Sequence, residues 1–256
     1  MELILKDFHV HTNFCDGADA AEDVALAAID MGMTHLGFSG HSHTAFDESY
    51  CMSVEKTAEY RREIARLKEK YADKIRIFCG IEQDCYSDAP TAGYDYVIGS
   101  VHYIEKDGDF FPVDESAAEL SGAAQKYYGG DIYALAEDYF ARVGGILEKT
   151  GADIVGHFDL VTKFNEGSAM FDEDNPRYRA AATAAADRLL AAGAVFEINT
   201  GAMSRGYRKS PYPSRFLIDY ITERGGRLIL SSDSHSRGSL CYRFSEYEKF
   251  VTYDLF

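Results

Sequence analysis

The feature that most constrains this chain is an alternation. Short β-branched or apolar runs are separated, along the whole sequence, by stretches with helical periodicity. That pattern implies a parallel sheet, because strands running the same way need long crossovers and a helix supplies them. The strand runs are Leu3–Phe8, Thr34–Ser39, Lys74–Ile81, Asp95–Gly99, Asp153–Gly156, Ala194–Ile198 and Arg227–Leu230. Among the helical stretches, Asp19 and Glu22 form a capping-box-like start for a face of Val24, Ala28 and Met31 that ends at Gly32. Tyr60, Ile64, Leu67 and Tyr71 make a second stripe, and Ile132, Leu135, Tyr139, Val143 and Ile146 a third behind Asp131 as N-cap. Asn175-Pro176 opens a fourth helix, and Ser214 caps a fifth closed by Gly225-Gly226. These stripes are core faces.

Two segments leave the pattern: Tyr103–Gly130, which is long, acidic and aromatic, and Asn165–Asp174, which is polar. Structureless loops of such length are uncommon unless they cover a site, so both are read as lids or surface decoration. No repeat, low-complexity tract or Pro/Ser-rich linker divides residues 1–256, and a single domain is expected. The net charge of −16 repels nucleic-acid backbones and anionic lipid. A phosphorylated small substrate is still compatible with it, because bound divalent cations invert the local potential. Cys15, Cys51, Cys79, Cys85 and Cys241 are odd in number and form no C-x-x-C pair, as suits reduced thiols in a cytoplasm. The start MELILKDFHV lacks a signal pattern and no run reaches membrane-spanning length, so a soluble cytoplasmic protein is expected.

The histidines are placed more tellingly than they are numerous. His9 and His11 follow the first strand, His41 and His43 the second, and Glu82 ends the third. His102 lies just past the fourth, His157 closes the fifth, Asn199 follows the sixth, and Asp233-Ser234-His235 the seventh. Only His35 starts a strand, and it is read as structural. In a parallel β/α barrel all strand C-termini meet on one face, where chemistry is carried out. Imidazoles and carboxylates gathered there signal metal. Alternate side chains of an extended segment point the same way, so His9-Val10-His11 can offer two imidazoles to one cation. Asp233-Ser234-His235 repeats the arrangement with an acid and an imidazole.

At these residues the sequence resembles the PHP (polymerase and histidinol phosphatase) family. The matching stretches are Asp7–Gly17, Gly37–His43, Gly80–Asp84, Tyr96–His102, Gly156–Phe164, Glu197–Ser214 and Ser231–Ser236, and they span a whole domain. The resemblance, which is closest to the family's histidinol-phosphate phosphatases, implies a distorted seven-stranded (β/α)7 TIM-like barrel holding two or three divalent metals. It implies one metal on His9, His11, Glu82 and Asp233, a second sharing Glu82 and adding His102 and His157, and a third on Asp16, His41 and His235. Zinc, iron and manganese all suit mixed imidazole and carboxylate ligands. Many members carry Asp-His after the second strand where this chain has Gly40-His41, which removes a carboxylate that could orient His41. His43 is an extra imidazole that either holds phosphate, protonates the leaving group or sits beside the site.

The implied chemistry is hydrolysis of a small phosphate monoester, foremost L-histidinol phosphate in histidine biosynthesis, by attack of a metal-bridging hydroxide. Another small phosphoester, such as a nucleotide or sugar phosphate, is the first alternative, and a non-catalytic metal-binding module the second. Arg205, Arg208 and Lys209 are the cations available for phosphate. Arg205 and Arg208 are preferred, since a guanidinium fork binds phosphate bidentately. Asp107, Asp109 or Asp114 is expected to hold the substrate's cationic end.

Overall fold

The computed structural model describes residues 5–256. In chain order its elements are β1 (Lys6–Asp7), α1 (Ala21–Asp30), β2 (His35–Phe38), α2 (Val54–Lys70), β3 (Arg76–Asp84) and β4 (Tyr96–Ser100). There follow β5 (Tyr103–Lys106), β6 (Asp109–Pro112), α3 (Ala117–Tyr128), α4 (Ile132–Val143), α5 (Ile146–Thr150) and β7 (Ile154–Val155). Then come α6 (Pro176–Ala191), β8 (Val195–Asn199), α7 (Gly201–Ser204), α8 (Arg215–Glu223) and β9 (Arg227–Ser231). Seven strands form one sheet in the order β1-β2-β3-β4-β7-β8-β9, every neighbouring pair parallel. The two edges meet through a parallel bridge between Val10 and Ser234, with His11 N donating to Ser234 O (2.8 Å) and Ser234 N to His9 O (3.1 Å). The sheet is thus a seven-stranded barrel, nearly closed and ringed by helices. All seven strand runs read from the sequence lie on it, although residues 3 and 4 of the first fall outside the described residues.

The helices follow their stripes, with local differences. Asp131 accepts from Tyr133 N and Ala134 N and caps α4, while Asn175 caps α6 ahead of Pro176. The stripe ending at Ile146 is broken by Gly144-Gly145, and Ile146 belongs to α5. The capping box at Asp19 does not form: α1 starts after Ala20, and the Asp19 carboxylate accepts from Arg237 N instead (2.8 Å). Met31 is exposed rather than core. Ser214 gives no side-chain cap to α8; its N–H donates to the buried Asp159 carboxylate (2.8 Å).

Tyr103–Gly130 is not a structureless lid. β5 and β6 pair antiparallel about Asp107-Gly108, both with positive φ (54° and 86°), the backbone that a two-residue hairpin turn requires. Ser116 then caps α3. Asn165–Asp174 holds only one short 3-10 turn, Glu166–Ser168.

The barrel is filled at its lower end by Phe8, Phe78, Tyr96, Ile98, Ile154, Val195 and Ile229. Tyr96 crosses the interior, donates its hydroxyl to Phe8 O (2.6 Å) and lies against Gly80, where an added Cβ would stand 2.3 Å from the ring. Gly80→Ala is therefore expected to cost about 1–3 kcal/mol of unfolding free energy in urea titrations, by overpacking. A loss of a few tenths would show that the ring yields.

Candidate active site

The strand C-termini all open on one face, and the chemistry-bearing residues stand there. His9 and His11 extend past β1, His41 past β2, His102 past β4, His157 past β7, and Asp233 and His235 past β9, while Glu82 lies within β3. His9, His11, His41, Glu82, His102, His157 and Asp233 are buried; Asp16 and His235 are partly exposed. Glu82 is the hub. Its Oε2 stands 2.9 Å from His41 Nδ1, 3.2 Å from His9 Nε2 and 3.5 Å from His11 Nε2. Its Oε1 stands 3.0 Å from His157 Nε2 and 3.3 Å from His102 Nε2, and accepts from Ser100 Oγ (2.7 Å). Asp233 Oδ1 is 3.2 Å from His11 Nε2 and 3.7 Å from His9 Nε2. Asp16 Oδ2 lies 3.1 Å from His235 Nε2 and 3.7 Å from His41 Nε2.

Three overlapping groups have ligand atoms within 4.8 Å of one another: His11–Asp16–His41–His235, His9–His11–Asp233 and His41–Glu82–His102. His11 and His41 each serve two of them. The residues fit metal on independent grounds as well. His9 Nε2, His11 Nε2 and Glu82 Oε2 are buried without a hydrogen-bond partner and all face the same centre, and buried polar atoms are rarely left so. Burial, then the neighbouring His235 and His41, pulls the His11 pKa down to about 3. Burial opposes ionisation of Glu82, but His41, His9 and His102 outweigh it and hold the carboxyl well below its usual range.

Two carboxylates that the sequence reading passed over orient these rings. Glu197 Oε2 accepts from His9 Nδ1 (2.9 Å), and its Oε1 accepts from His157 N (2.6 Å) and Asn199 Nδ2 (2.7 Å). Asp84 Oδ2 accepts from His102 Nδ1 (3.1 Å). Each fixes the tautomer that aims Nε2 into the cluster. Strand alternation carried the signal: Asp84 shares a face with Glu82, and Glu197 with Asn199. The departure at Gly40 has a steric side: a Cβ at residue 40 would meet Met52 at 3.1 Å.

Above the cluster is a cavity of about 330 Å³ whose wall includes Asp16, His41, Glu82, His102, His157, Asp233 and His235. Two cations reach it. Arg205 donates Nη1 to Asp233 O (3.0 Å) and Nη2 to Asp233 Oδ2 (3.1 Å). Lys163, absent from the sequence candidates, donates to Asp114 Oδ2 (3.1 Å), and both line the cavity. Asp47, Glu115, Tyr50, Tyr103 and Tyr207 complete the rim. Asp107 and Asp109 do not reach it: Asp107 sits in the hairpin turn and Asp109 pairs with Lys126 and Tyr127.

Three other candidates stand away from the cavity. Arg208 turns away from the cavity and is buried, donating to Thr162 O (2.8 Å) and standing over the Tyr212 ring. Gly206, at φ 78°, reverses the chain between it and Arg205. Lys209 is exposed and lines no part of the cavity. His43 pairs with Glu48 (3.0 Å) and faces a separate cleft. Ser42 N donates to Glu82 O (2.9 Å) and Ser87 Oγ to His43 O (2.6 Å), which holds this stretch against β3 with the imidazole turned from the metals' side. His43→Ala is accordingly expected to keep turnover within about twofold and metal content unchanged. A tenfold fall in kcat would return His43 to the site.

Comparison with known proteins agrees with fold and site. A model of the PHP domain matches residues 7–201. The probable histidinol-phosphatase of Deinococcus radiodurans is 32% identical over 256 residues, covering 94% of this chain and 90% of that protein. The structure of a candidate histidinol phosphatase of Listeria monocytogenes superposes with a TM-score of 0.80 at 20% identity, covering 94% of this chain and 99% of that one. That of the Lactococcus lactis histidinol phosphate phosphatase, complexed with zinc, L-histidinol and phosphate, gives 0.73 at 21% identity over 99% and 96% of the two chains. The chain belongs to the PHP domain family. It is a phosphatase that depends on divalent metal. No helix among the described residues is long and apolar enough to cross a membrane.

Proposed function

We propose that residues 1–256 form one PHP-type domain that hydrolyses L-histidinol phosphate to L-histidinol and phosphate in the cytoplasm. Two or three divalent ions, zinc, iron or manganese, are held by His9, His11, Asp16, His41, Glu82, His102, His157, Asp233 and His235. The observation that carries the reading is Glu82: its two oxygens face separate sets of imidazoles on the floor of a cavity flanked by Arg205 and Lys163. The kinship with the probable histidinol-phosphatase of Deinococcus radiodurans supports the substrate.

Bound divalent ions supply Lewis acidity, which neutralises phosphate charge and brings the pKa of coordinated water near neutrality. The chain's own residues do the rest. Arg205, held by Asp233 on one flank, presents its guanidinium to the non-bridging phosphate oxygens and stabilises charge as the P–O bond breaks. Lys163 offers a second cation on the cavity wall, where Asp114 fixes it. Glu197 and Asp84 keep His9 and His102 from rotating, so the floor is organised before substrate arrives. Asp47, Asp114 and Glu115 give the rim a negative lip that suits the amine and imidazole of a zwitterionic substrate and repels a polynucleotide.

The deciding experiment couples elemental analysis with phosphate release from a panel of histidinol, nucleotide and sugar phosphates. Histidinol phosphate is expected to be hydrolysed with the highest kcat/KM. Preference for another ester would reassign the substrate, and a metal-loaded protein that releases phosphate from none would sink the phosphatase reading.

A further inference from the structure

Two segments frame the mouth of the cavity. Asp47 and Tyr50 reach its wall from the loop between β2 and α2, and Tyr103, Pro112 and Asp114 from the hairpin β5–β6 and the turn beyond it. The hairpin is a two-stranded sheet of its own, so side chains set its place against the loop. Phe46 lies flat on Phe110, with centroids 4.1 Å apart and planes 3° apart, and meets Tyr103 edge-on at 4.9 Å. The Tyr103 hydroxyl donates to the Asp47 carboxylate. Asp47 is fixed in turn, its other oxygen accepting from Ser49 N (2.9 Å) and Ser49 Oγ (2.6 Å).

Hairpin register explains the meeting. Tyr103 opposes Pro112 and Glu105 opposes Phe110, so Tyr103 and Phe110 share the face turned to the loop, while Ile104 and Phe111 take the buried face. Phe110 nevertheless remains 40% exposed, so the core does not need it. Behind the stack lies an apolar cleft of about 910 Å³, lined by His43, Val54, Ala58 and Pro90 with the two phenylalanines, which gives the rings room to move apart.

We infer that the Phe46–Phe110 stack and the Tyr103–Asp47 bond form a latch that fixes the width of the cavity mouth and makes both phenylalanines determinants of substrate size. The inference rests on the phosphatase reading. Neither ring lines the cavity, so both act by positioning the segments that do. With the latch closed a small phosphomonoester enters; with it broken the rim spreads and admits a bulkier one.

The test uses the full metal-loaded chain carrying Phe46→Ala or Phe110→Ala. The ratio of kcat/KM for adenosine monophosphate to that for L-histidinol phosphate is expected to rise at least about tenfold, with metal content unchanged. Phe110→Tyr, which keeps a ring, should restore the wild-type ratio. Hydrogen exchange should speed up in residues 45–50 and 103–112 together, whichever phenylalanine is replaced. A constant ratio, or faster exchange only in the segment carrying the substitution, overturns the latch. A wild-type protein that cleaves no phosphomonoester would sink the phosphatase reading instead, and the exchange measurement would still decide the latch.

Discussion

Glu82→Gln is expected to remove two bound metal ions at once and to lower turnover by at least about a thousandfold. The substitution keeps the shape of the side chain and discards its charge. In the native protein Oε2 serves His41, His9 and His11, while Oε1 serves His157 and His102. A glutamine must turn an NH2 group toward one of those sets, and an amide NH2, whose lone pair is delocalised into the carbonyl, cannot ligate a cation. The oxygen left for the other set is neutral, and in so buried a place the missing charge weakens it further. Elemental analysis beside phosphate release reads both effects. Full metal occupancy in the variant would refute the bridging role.

Arg205→Gln is expected to reduce kcat/KM by about 100- to 1000-fold and to weaken inhibition by inorganic phosphate in parallel. Arg208→Gln, three residues on, should behave in the opposite sense. It leaves Thr162 O and its buried surroundings without their cation, so thermal stability falls while kcat/KM of the folded protein stays within a few-fold. Equal loss of phosphate affinity in both variants would mean that the loop presents both guanidinium groups to the substrate.

The two arginines also mark where sequence reading stops. Periodicity and strand-end position were legible, because a parallel barrel sends every strand's C-terminus to one face: His9, His11, His41, Glu82, His102, His157, Asp233 and His235 all stand there. Direction within a turn was not legible. Arg205 and Arg208 look equivalent in the string SRGYRK, and only the left-handed Gly206 sends one into the cavity and the other into the interior. His43 failed for a related reason, since spacing from His41 does not say which way the imidazole turns, and it turns to Glu48. The Asp107-Gly108 hairpin could have been read, for Asp-Gly between apolar runs is a strong turn signal. Lys163 carried no such mark: a lone lysine past a strand end looks like surface charge until Asp114, fifty residues earlier in approximate count, is seen beside it.

The bridge between Val10 and Ser234 joins the first strand of the barrel to the last, with His9 and His11 on one bank and Asp233 and His235 on the other. A ribosome must therefore deliver the chain as far as residue 235 before a cation can find its full complement of donors. Shorter nascent lengths expose amino-terminal imidazoles that lack their acid counterparts. Ion capture becomes a late step of maturation that clasps the closing edges together, and a chelator should loosen the molecule first along that line.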